Sequence, residues 1–247
     1  MKKNPFAFSL VLLFFATIFT GCKAEKKDNQ PVDAGPEVAK QVEPASILEN
    51  DFVKVVAVGL APGEALTAHQ GEERLVYSLS DYTIEWKQDG QDPGSKEWKR
   101  GDVHVHKPGE HSAVNNGSSR AEWVIFVKKT DDLPVCEEMD SDKIVTALAG
   151  DAARLLYDDA NFRVTEISLD PGESIPEHRG MNRIIYSLSD YTIRYRSDKS
   201  EVSEKSYSKG EAHWHEGCQH SVENTGTTEA RFLVVAFKEN SASPDAE

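Results

Sequence analysis

The chain carries one long segment twice. The eight residues YSLSDYTI occur at Tyr77–Ile84 and again, unchanged, at Tyr186–Ile193, which sets an offset of 109 residues. The register continues without insertion from residues 53 to 129 and from residues 162 to 238. The same offset relates all eight histidines in four pairs: His69 and His178, His104 and His213, His106 and His215, His111 and His220. Because this period is far longer than the unit of a solenoid, the sequence predicts two copies of a whole small domain.

Each copy reads as a series of short β-strands. Runs such as FVKVVAVGL, RLVYSLS and EWVIFV are rich in β-branched and aromatic residues, and turn residues separate them. Many short strands with regular turns are typical of a sandwich or a barrel. One helix is predicted from Asp140 to Asp151, between the copies, where Ser141 would cap it and Gly150 would end it.

The first residues of the chain indicate export. A basic start is followed by an apolar run from Phe6 to Phe19, too short for a membrane span, and a threonine–glycine pair precedes Cys22. This pair and the cysteine resemble the lipobox of bacterial lipoproteins. The resemblance implies a signal peptide over residues 1–21, an acylated Cys22, attachment to a membrane through the lipid, and a location in the bacterial cell envelope. Lys23, directly after the cysteine, favours the outer membrane.

Charge and cysteine content narrow the partners. The formal net charge is −14, which argues against nucleic acid as a partner because phosphates demand a basic face. Nothing in the sequence predicts an oligomeric state. After removal of the signal peptide, Cys136 and Cys218 are the remaining cysteines. An exported pair could form a disulfide, but neither has a counterpart in the other copy, so the sequence leaves their pairing open.

A spaced pattern of glycine, histidine and asparagine recurs in both copies. In the first copy Gly63 precedes His69 by six residues, and Gly101 opens a strand that leads to His111 and, four residues later, Asn115. This pattern resembles the two-part motif of the cupins, and its duplication makes the chain similar to bicupins. The resemblance implies an all-β fold of two double-stranded β-helix, or jelly-roll, barrels joined by a connector with a short helix.

The expected domain boundaries follow from the repeat and from composition. The barrels are expected over residues 47–130 and 153–239, with the connector over residues 131–152. Residues 22–46 are polar, contain three prolines and lack an apolar period, so we expect a disordered tether. Residues 240–247 are expected to form a disordered tail.

The histidines are the candidate metal ligands. Residues two apart in a strand share a face, so the histidines of His-x-His point together either into the pocket or away from it. In the cupin resemblance the other histidines match ligands of the two motifs. Neutral imidazoles suit Zn, Fe, Ni, Cu or Mn. We therefore expect one divalent metal per copy, held by at least three of four histidines: His69, His104, His106 and His111 in the first copy, and His178, His213, His215 and His220 in the second.

Two positions of the first motif depart from the cupin pattern. Gly71 and Gly180 replace its second histidine, and Arg74 and Arg183 stand in the place of its glutamate, each ahead of two apolar residues and a tyrosine. Arginine keeps its charge and does not ligate metals. A standard centre of three histidines and one glutamate is therefore not predicted.

Two roles stay open for these arginines. One is an ion pair with an acidic neighbour, which for Arg74 means Glu73 or Asp81. The other is contact with a carboxylate or similar small anion, whose geometry fits the guanidinium fork. The recurring Tyr77 and Tyr186 are further candidates for ligand contact, or they lie in the core with satisfied hydroxyls.

Three functions compete at this point. The first is a metal-binding barrel with dioxygenase, isomerase or lyase chemistry on a small anion. The second is a non-catalytic protein that captures a metal or small ligand, and the third is a structural module without metal. The missing glutamate argues against the enzymatic function. The fold alone cannot decide among the three functions.

Overall fold

The computed structural model describes residues 39–90, 92–136 and 145–238. The predicted signal peptide, Cys22, most of the tether and the tail lie outside these residues. The chain divides into two units, Met1–Glu37 and Val38–Glu247, and all described residues belong to the second. Within the described part, no helix combines the length and the hydropathy that crossing a membrane requires.

The first barrel consists of nine strands. They are β1 (Ala45–Glu49), β2 (Val53–Leu60), β3 (Ala65–Gly71), β4 (Arg74–Ser78), β5 (Tyr82–Gln88), β6 (Gly94–Trp98), β7 (Val103–His106), β8 (Gly109–Val114) and β9 (Ala121–Lys128). They form a five-stranded sheet in the order β1-β2-β9-β4-β7 and a four-stranded sheet in the order β3-β8-β5-β6. All pairings between these strands are antiparallel.

The second barrel repeats this design strand for strand. Its strands are β10 (Ala153–Asp158), β11 (Phe162–Leu169), β12 (Ser174–Gly180), β13 (Arg183–Ser187), β14 (Tyr191–Ser197), β15 (Ser200–Tyr207), β16 (Ala212–His215), β17 (Cys218–Asn224) and β18 (Ala230–Phe237). The sheets have the orders β10-β11-β18-β13-β16 and β12-β17-β14-β15. The predicted fold, two jelly-roll barrels with a short helix in the connector, is confirmed.

The connector and the tether differ in detail from the sequence prediction. The helix α1 spans only Val145–Leu148, and a 3-10 turn follows at Gly150–Ala152. Residues 137–144, which include the predicted cap, lie outside the described part. At the other end, the backbone of Val42 donates to the carbonyl of Ala65 on β3. The last residues of the expected tether therefore pair with the first barrel.

The pleat of the larger sheets divides their side chains between two environments. In β4, Arg74 and Val76 line the cavity of the first barrel, whereas Leu75 and Tyr77 point to the other face. That other face joins the matching face of the second barrel in one core. Its buried residues are Val53, Val55, Leu75, Tyr77, Val124, Phe126, Leu133, Phe162, Val164, Ile184, Tyr186, Leu233, Val235 and Phe237. The five-stranded sheets therefore pack against each other.

The start of the connector is attached to the second barrel. We call residues 131–136 the strap. Leu133 of the strap is buried in the core between the barrels, and Asn182 donates from Nδ2 to the carbonyl of Pro134 at 2.7 Å. Cys136 forms a disulfide with Cys218, the first residue of β17. The pairing that the sequence left open is thus present.

Candidate ligand pocket

The second barrel encloses a cavity of about 700 Å³. Its lining includes four histidines and a buried arginine together with apolar residues: His178, His213, His215, His220 and Arg183. Pro134 and Cys136 of the strap also contribute to its wall. The structure therefore brings together every predicted histidine of the second copy around one pocket.

Arg183 is a buried charged group on the wall of this pocket. Its residue is only 3% exposed, and burial lowers the pKa of its guanidinium, which nonetheless stays charged at neutral pH. Nη1 donates to the carbonyls of Met181 (3.0 Å) and Glu216 (3.2 Å). Nη2 donates to His220 Nε2 (3.0 Å) and, over 3.4 Å, to the Tyr195 hydroxyl. Every one of these acceptors is neutral.

No carboxylate of the described residues forms an ion pair with Arg183. A buried charge is costly unless an opposite charge or full solvation compensates it. Backbone carbonyls, an imidazole and a hydroxyl supply part of that compensation. An anion would compensate the rest of the charge, and it could reach the guanidinium from the cavity.

His220 and His178 stand beside this arginine on neighbouring strands. His220 donates from Nδ1 to the carbonyl of Cys218 (3.2 Å), which leaves Nε2 as the acceptor for Arg183. His178 donates from Nδ1 to the carbonyl of Pro176 (2.9 Å). Their ring centroids are 4.1 Å apart. Burial lowers the pKa of both rings, and the charge of Arg183 acts in the same direction, so both are neutral at pH 7.

His213 and His215 occupy the strand β16 and both face the cavity. His213 stacks on Tyr207, with ring centroids 4.3 Å apart and planes at 13°, and its Nδ1 is buried without a hydrogen-bond partner. Burial, followed by the charge of Arg183, lowers the pKa of His213 to about 4 and that of His215 to about 2. Trp214, between them, points out of the barrel and stacks on Phe52 of the first barrel. The histidines therefore face inward, which settles the choice that strand periodicity left open.

The first barrel has a smaller cavity of about 360 Å³. His104, His106, His111 and Arg74 line it. His69 is exposed and is absent from its wall, although its ring lies 4.1 Å from that of His111. The structure thus brings three of the four predicted histidines of this copy to the pocket and leaves one outside.

Arg74 is buried like its counterpart but has a simpler environment. It is 5% exposed, burial lowers its pKa to about 10, and Nη1 donates to the carbonyls of Glu72 (3.1 Å) and Lys107 (3.4 Å). Of the two roles left open for Arg74, the ion pair with Glu73 or Asp81 is not present. Asp81 instead pairs with Lys99, and Glu73 accepts a hydrogen bond from Asn161 of the second barrel.

Tyr77 and Tyr186 are absent from both cavity walls. They are buried in the core between the barrels, so the expectation that they contact a pocket ligand is corrected to a core role. The physical reason is the period of the strand. Tyr77 lies three residues after Arg74, so the two side chains point to opposite faces of the sheet.

The expected divalent metal does not fit this arrangement. Among the described residues, no group of three or more His, Cys, Asp and Glu side chains is placed to hold a metal ion. In the second barrel the guanidinium of Arg183 already occupies Nε2 of His220, the lone pair that a metal would need. A positive charge at that distance also repels a cation.

The absence of a side chain at Gly180 makes room for the guanidinium of Arg183 beside His220. A Cβ at residue 180 would lie 2.5 Å from both Arg183 Nη1 and His220 Cε1. A Cβ at Gly71 would meet His111 and Arg74 in the same way. The guanidinium therefore fills the space beside the histidine, and no larger side chain can stand at the glycine.

Sequence reasoning missed the aromatic residues that set cavity size. Trp86, Trp98 and Trp123 line the first cavity, and their counterparts at the repeat offset line the second: Tyr195, Tyr207 and Phe232. The 109-residue offset already contained this signal, because it pairs three tryptophans with three smaller aromatic residues.

Comparisons with known proteins give a fold and no closer relationship. No protein-family model matches the chain, and no curated protein matches it. Among solved structures, AerE from Microcystis aeruginosa is 19% identical, with a TM-score of 0.55 over 79% of this chain and 97% of AerE. The oxalate decarboxylase of Lactobacillus farciminis, solved as a formate complex, is 11% identical, with a TM-score of 0.54 over 77% and 78% of the two chains. A variant oxalate decarboxylase of Bacillus subtilis is also 11% identical, with a TM-score of 0.57 over 80% and 76%.

The fold is the cupin fold, present twice. At identities of 11–19% these similarities establish the fold alone. Mn(II) centres belong to the oxalate decarboxylase of Bacillus subtilis, and they say nothing of the pocket residues of this chain. The function must therefore be argued from the pocket itself.

Proposed function

We propose that this protein is a bicupin that binds a small anionic ligand in its second barrel through Arg183. The observation that carries the proposal is a 3% exposed guanidinium without a carboxylate partner among the described residues, on the wall of a cavity of about 700 Å³. An anion in that cavity would supply the missing opposite charge. Hydrogen bonds between charged partners are the strong ones, and guanidinium suits carboxylates above all.

The surroundings of Arg183 favour a single negative charge. The four histidines of the pocket are neutral at pH 7 and add no positive charge to that of Arg183. The Tyr195 hydroxyl accepts only a long bond of 3.4 Å from Nη2. A ligand oxygen placed there would accept from Nη2, and the hydroxyl, freed as a donor, would bind the same ligand.

Binding without a metal is the favoured activity. The metal-dependent dioxygenase, isomerase and lyase alternatives all require an ion that Arg183 displaces from His220. Capture of a ligand needs only the charge, the hydrogen-bond donors and the space that the pocket provides. The first barrel has its own arginine but about half the cavity volume, so we assign the ligand to the second barrel.

We further propose that the protein works outside the cytoplasm, attached through lipid at Cys22. The proposal rests on the lipobox-like sequence. The Cys136–Cys218 disulfide supports it, because structural disulfides persist in oxidising compartments. An anchored pocket of this kind would capture its ligand at the cell surface or in the space beneath an outer membrane.

The proposed function is tested by calorimetric titration of the full-length protein, purified in detergent without a histidine tag. We expect it to bind at least one of acetate, benzoate and inorganic phosphate. Arg183→Gln should weaken that binding between tenfold and a hundredfold, as expected for loss of a charged hydrogen bond. Arg74→Gln removes the matching arginine of the other barrel and should leave the affinity unchanged.

Metal analysis of the same preparation provides the counter-test. A stoichiometric content of Mn, Fe, Ni, Cu or Zn would contradict the proposal and restore the metal interpretation. Equal anion affinity in the wild type and Arg183→Gln would also contradict it, because the guanidinium would then have no part in binding.

A further inference from the structure

The second cavity is polar at one level and apolar beyond it. Along β13 and β16, Arg183 lies opposite His215, and two residues further on Ile185 lies opposite His213. Along β12 and β17, His178 lies opposite His220, whereas Ile175 lies opposite Val222. Arg183 therefore shares one layer with His178, His215 and His220. The next layer is aliphatic apart from His213.

Beyond that layer the wall is largely aliphatic and aromatic. The apolar lining residues include Ile167, Ile175, Ile185, Ile193, Val222, Phe232 and Val234. Tyr191, which also lines the cavity, turns its hydroxyl to Ser187 at 3.1 Å. Its polar tip is thus satisfied within the protein, and its ring adds to the apolar surface. A space lined in this way holds water poorly and favours an apolar group.

In the first barrel, larger aromatic side chains occupy part of the corresponding space. Trp123 packs against Tyr82 there, with ring centroids 5.4 Å apart. The smaller Phe232 takes its place in the second barrel and packs against Tyr191 at the same distance. Together with the exchanges at the two other tryptophan positions, this substitution accompanies the difference between about 360 and about 700 Å³. The second barrel therefore has room for a group about as bulky as the side chains that it lacks.

A second negative charge would find no cation in the apolar layer. Arg163 and Lys238, which line the cavity as well, both pair with Asp158. Arg179 also lines the cavity, and its buried Nε has no hydrogen-bond partner. It pairs with Gln219 beside the His178–His220 pair, so it lies at the polar level of the cavity and not at the level of Ile175. An ionised group buried among isoleucines without a partner is strongly unfavourable.

From these observations, and resting on the proposed function, we propose that the ligand of the second barrel is a monocarboxylate with a compact apolar body, such as an aromatic or branched aliphatic acid. The carboxylate pairs with Arg183 and accepts from the Tyr195 hydroxyl. The apolar body extends past Ile185 and His213 towards Phe232. His213 Nδ1, buried without a partner, offers one polar contact along that body.

The test compares five probes by calorimetric titration of the full-length protein: benzoate, benzamide, acetate, succinate and inorganic phosphate. Benzamide keeps the ring without the charge, and acetate keeps the charge without the ring. We expect benzoate to bind at least tenfold more tightly than each of the other four. This comparison uses the wild type alone, so it does not depend on the folding of any variant.

A variant pair then locates the apolar body. Phe232→Trp introduces the side chain of the first barrel and should weaken benzoate binding at least tenfold while leaving acetate binding unchanged. Trp123→Phe is the matched change in the first barrel and should alter neither. An unchanged benzoate affinity in Phe232→Trp would overturn the placement of the ligand.

The outcomes separate the two proposals. Equal affinities for acetate and benzoate, or tighter binding of succinate or phosphate, would overturn the apolar-acid inference and leave the anion-binding function standing. Benzamide binding as tightly as benzoate would overturn both, because the charge would then be irrelevant. The absence of binding by all five probes would likewise overturn both.

Discussion

The two barrels share strand order, inward histidines and a buried arginine, yet they differ in the space they enclose. The first has about 360 Å³ lined by three tryptophans, and the second has about 700 Å³ lined by smaller aromatic residues. Arg183 has four hydrogen bonds to neutral groups, and Arg74 has two. The difference teaches that the repeat supplies the frame of a site, whereas a few side chains decide whether that frame has room for a ligand.

A second difference lies at the start of β17. Gly109, at the start of β8, has φ 143°, and its counterpart Cys218 has φ 140°. Glycine adopts this conformation freely, but a residue with a Cβ holds it at a cost of about 1–3 kcal/mol. The disulfide to Cys136 compensates that cost and fixes the strap on the larger pocket. The first barrel has glycine at this position and therefore carries neither the strain nor the bond.

The largest expected effect comes from removing this bond. Cys136→Ser opens a loop whose ends are 82 residues apart in sequence, and the chain-entropy model gives a loss of about 4.5 kcal/mol in the free energy of unfolding. Chemical denaturation should show it as a lower transition midpoint. The strap should also become more accessible to protease cleavage, because only the burial of Leu133 and the hydrogen bond from Asn182 to Pro134 would remain of the attachments described above.

Cys218→Gly is the matched control for that variant. It removes the same bond but restores the residue that the first barrel carries at this backbone angle. We therefore expect it to be more stable than Cys136→Ser by about 1 kcal/mol or more. Equal stability of the two variants would mean that Cys218 is not strained. The claim that the disulfide compensates a backbone strain at Cys218 would then be wrong.

The sequence predicted the fold well because the repeat fixed the strand register independently of any detail of packing. It left open which side of β16 carries the pocket histidines, and the structure decides this by stacking Trp214 on Phe52. It could not predict the fates of His69 and His178. Both follow a register shift in their strands, but α1 packs on β12, and His178 is buried while its counterpart is exposed. That cover comes from the connector, which the repeat does not include.

The metal prediction could not take the contact between Arg183 and His220 into account. The motif specifies residue types along the chain, and all the histidines except His69 line the cavities as it implies. Whether a guanidinium folds back onto His220 depends on the distance between two strands and on the absence of a side chain at Gly180. Neither quantity is written in the spacing of the motif.

The next largest effect concerns the buried histidines that both barrels share, and it appears in the pH dependence of stability. Burial, the charge of Arg183 and then His213 lower the pKa of His215 to about 2, and burial and Arg74 lower that of its counterpart His106 to about 4. The unfolded value is about 6.5. The folded protein therefore binds fewer protons, and this contribution to stability is complete above pH 6.5 and is lost as the pH falls towards the folded values.

At pH 5 each such histidine should have cost about 2 kcal/mol relative to pH 7. Denaturant titrations at the two pH values measure the change. His215→Gln and His106→Gln should each flatten the pH dependence by about the same amount, since both histidines are neutral throughout this interval. If neither variant changes the dependence of the unfolding free energy on pH, these rings take up protons in the folded protein as they do in the unfolded chain.

The smallest expected effect concerns the glycines beneath the two arginines. Gly71→Ala and Gly180→Ala each place a Cβ within 2.5 Å of a histidine ring and close to a guanidinium, so both should be destabilising through overpacking. Arg74 makes two hydrogen bonds and can yield, whereas Arg183 makes four and sits in the histidine layer. We therefore expect Gly180→Ala to cost about 1 kcal/mol more in unfolding free energy than Gly71→Ala.

Only Gly180→Ala should also weaken benzoate binding, because the new methyl group displaces the guanidinium that holds the carboxylate. Equal costs together with unchanged binding would mean that Arg183 can move freely, and a mobile arginine would remove the reason for placing the ligand in the second barrel.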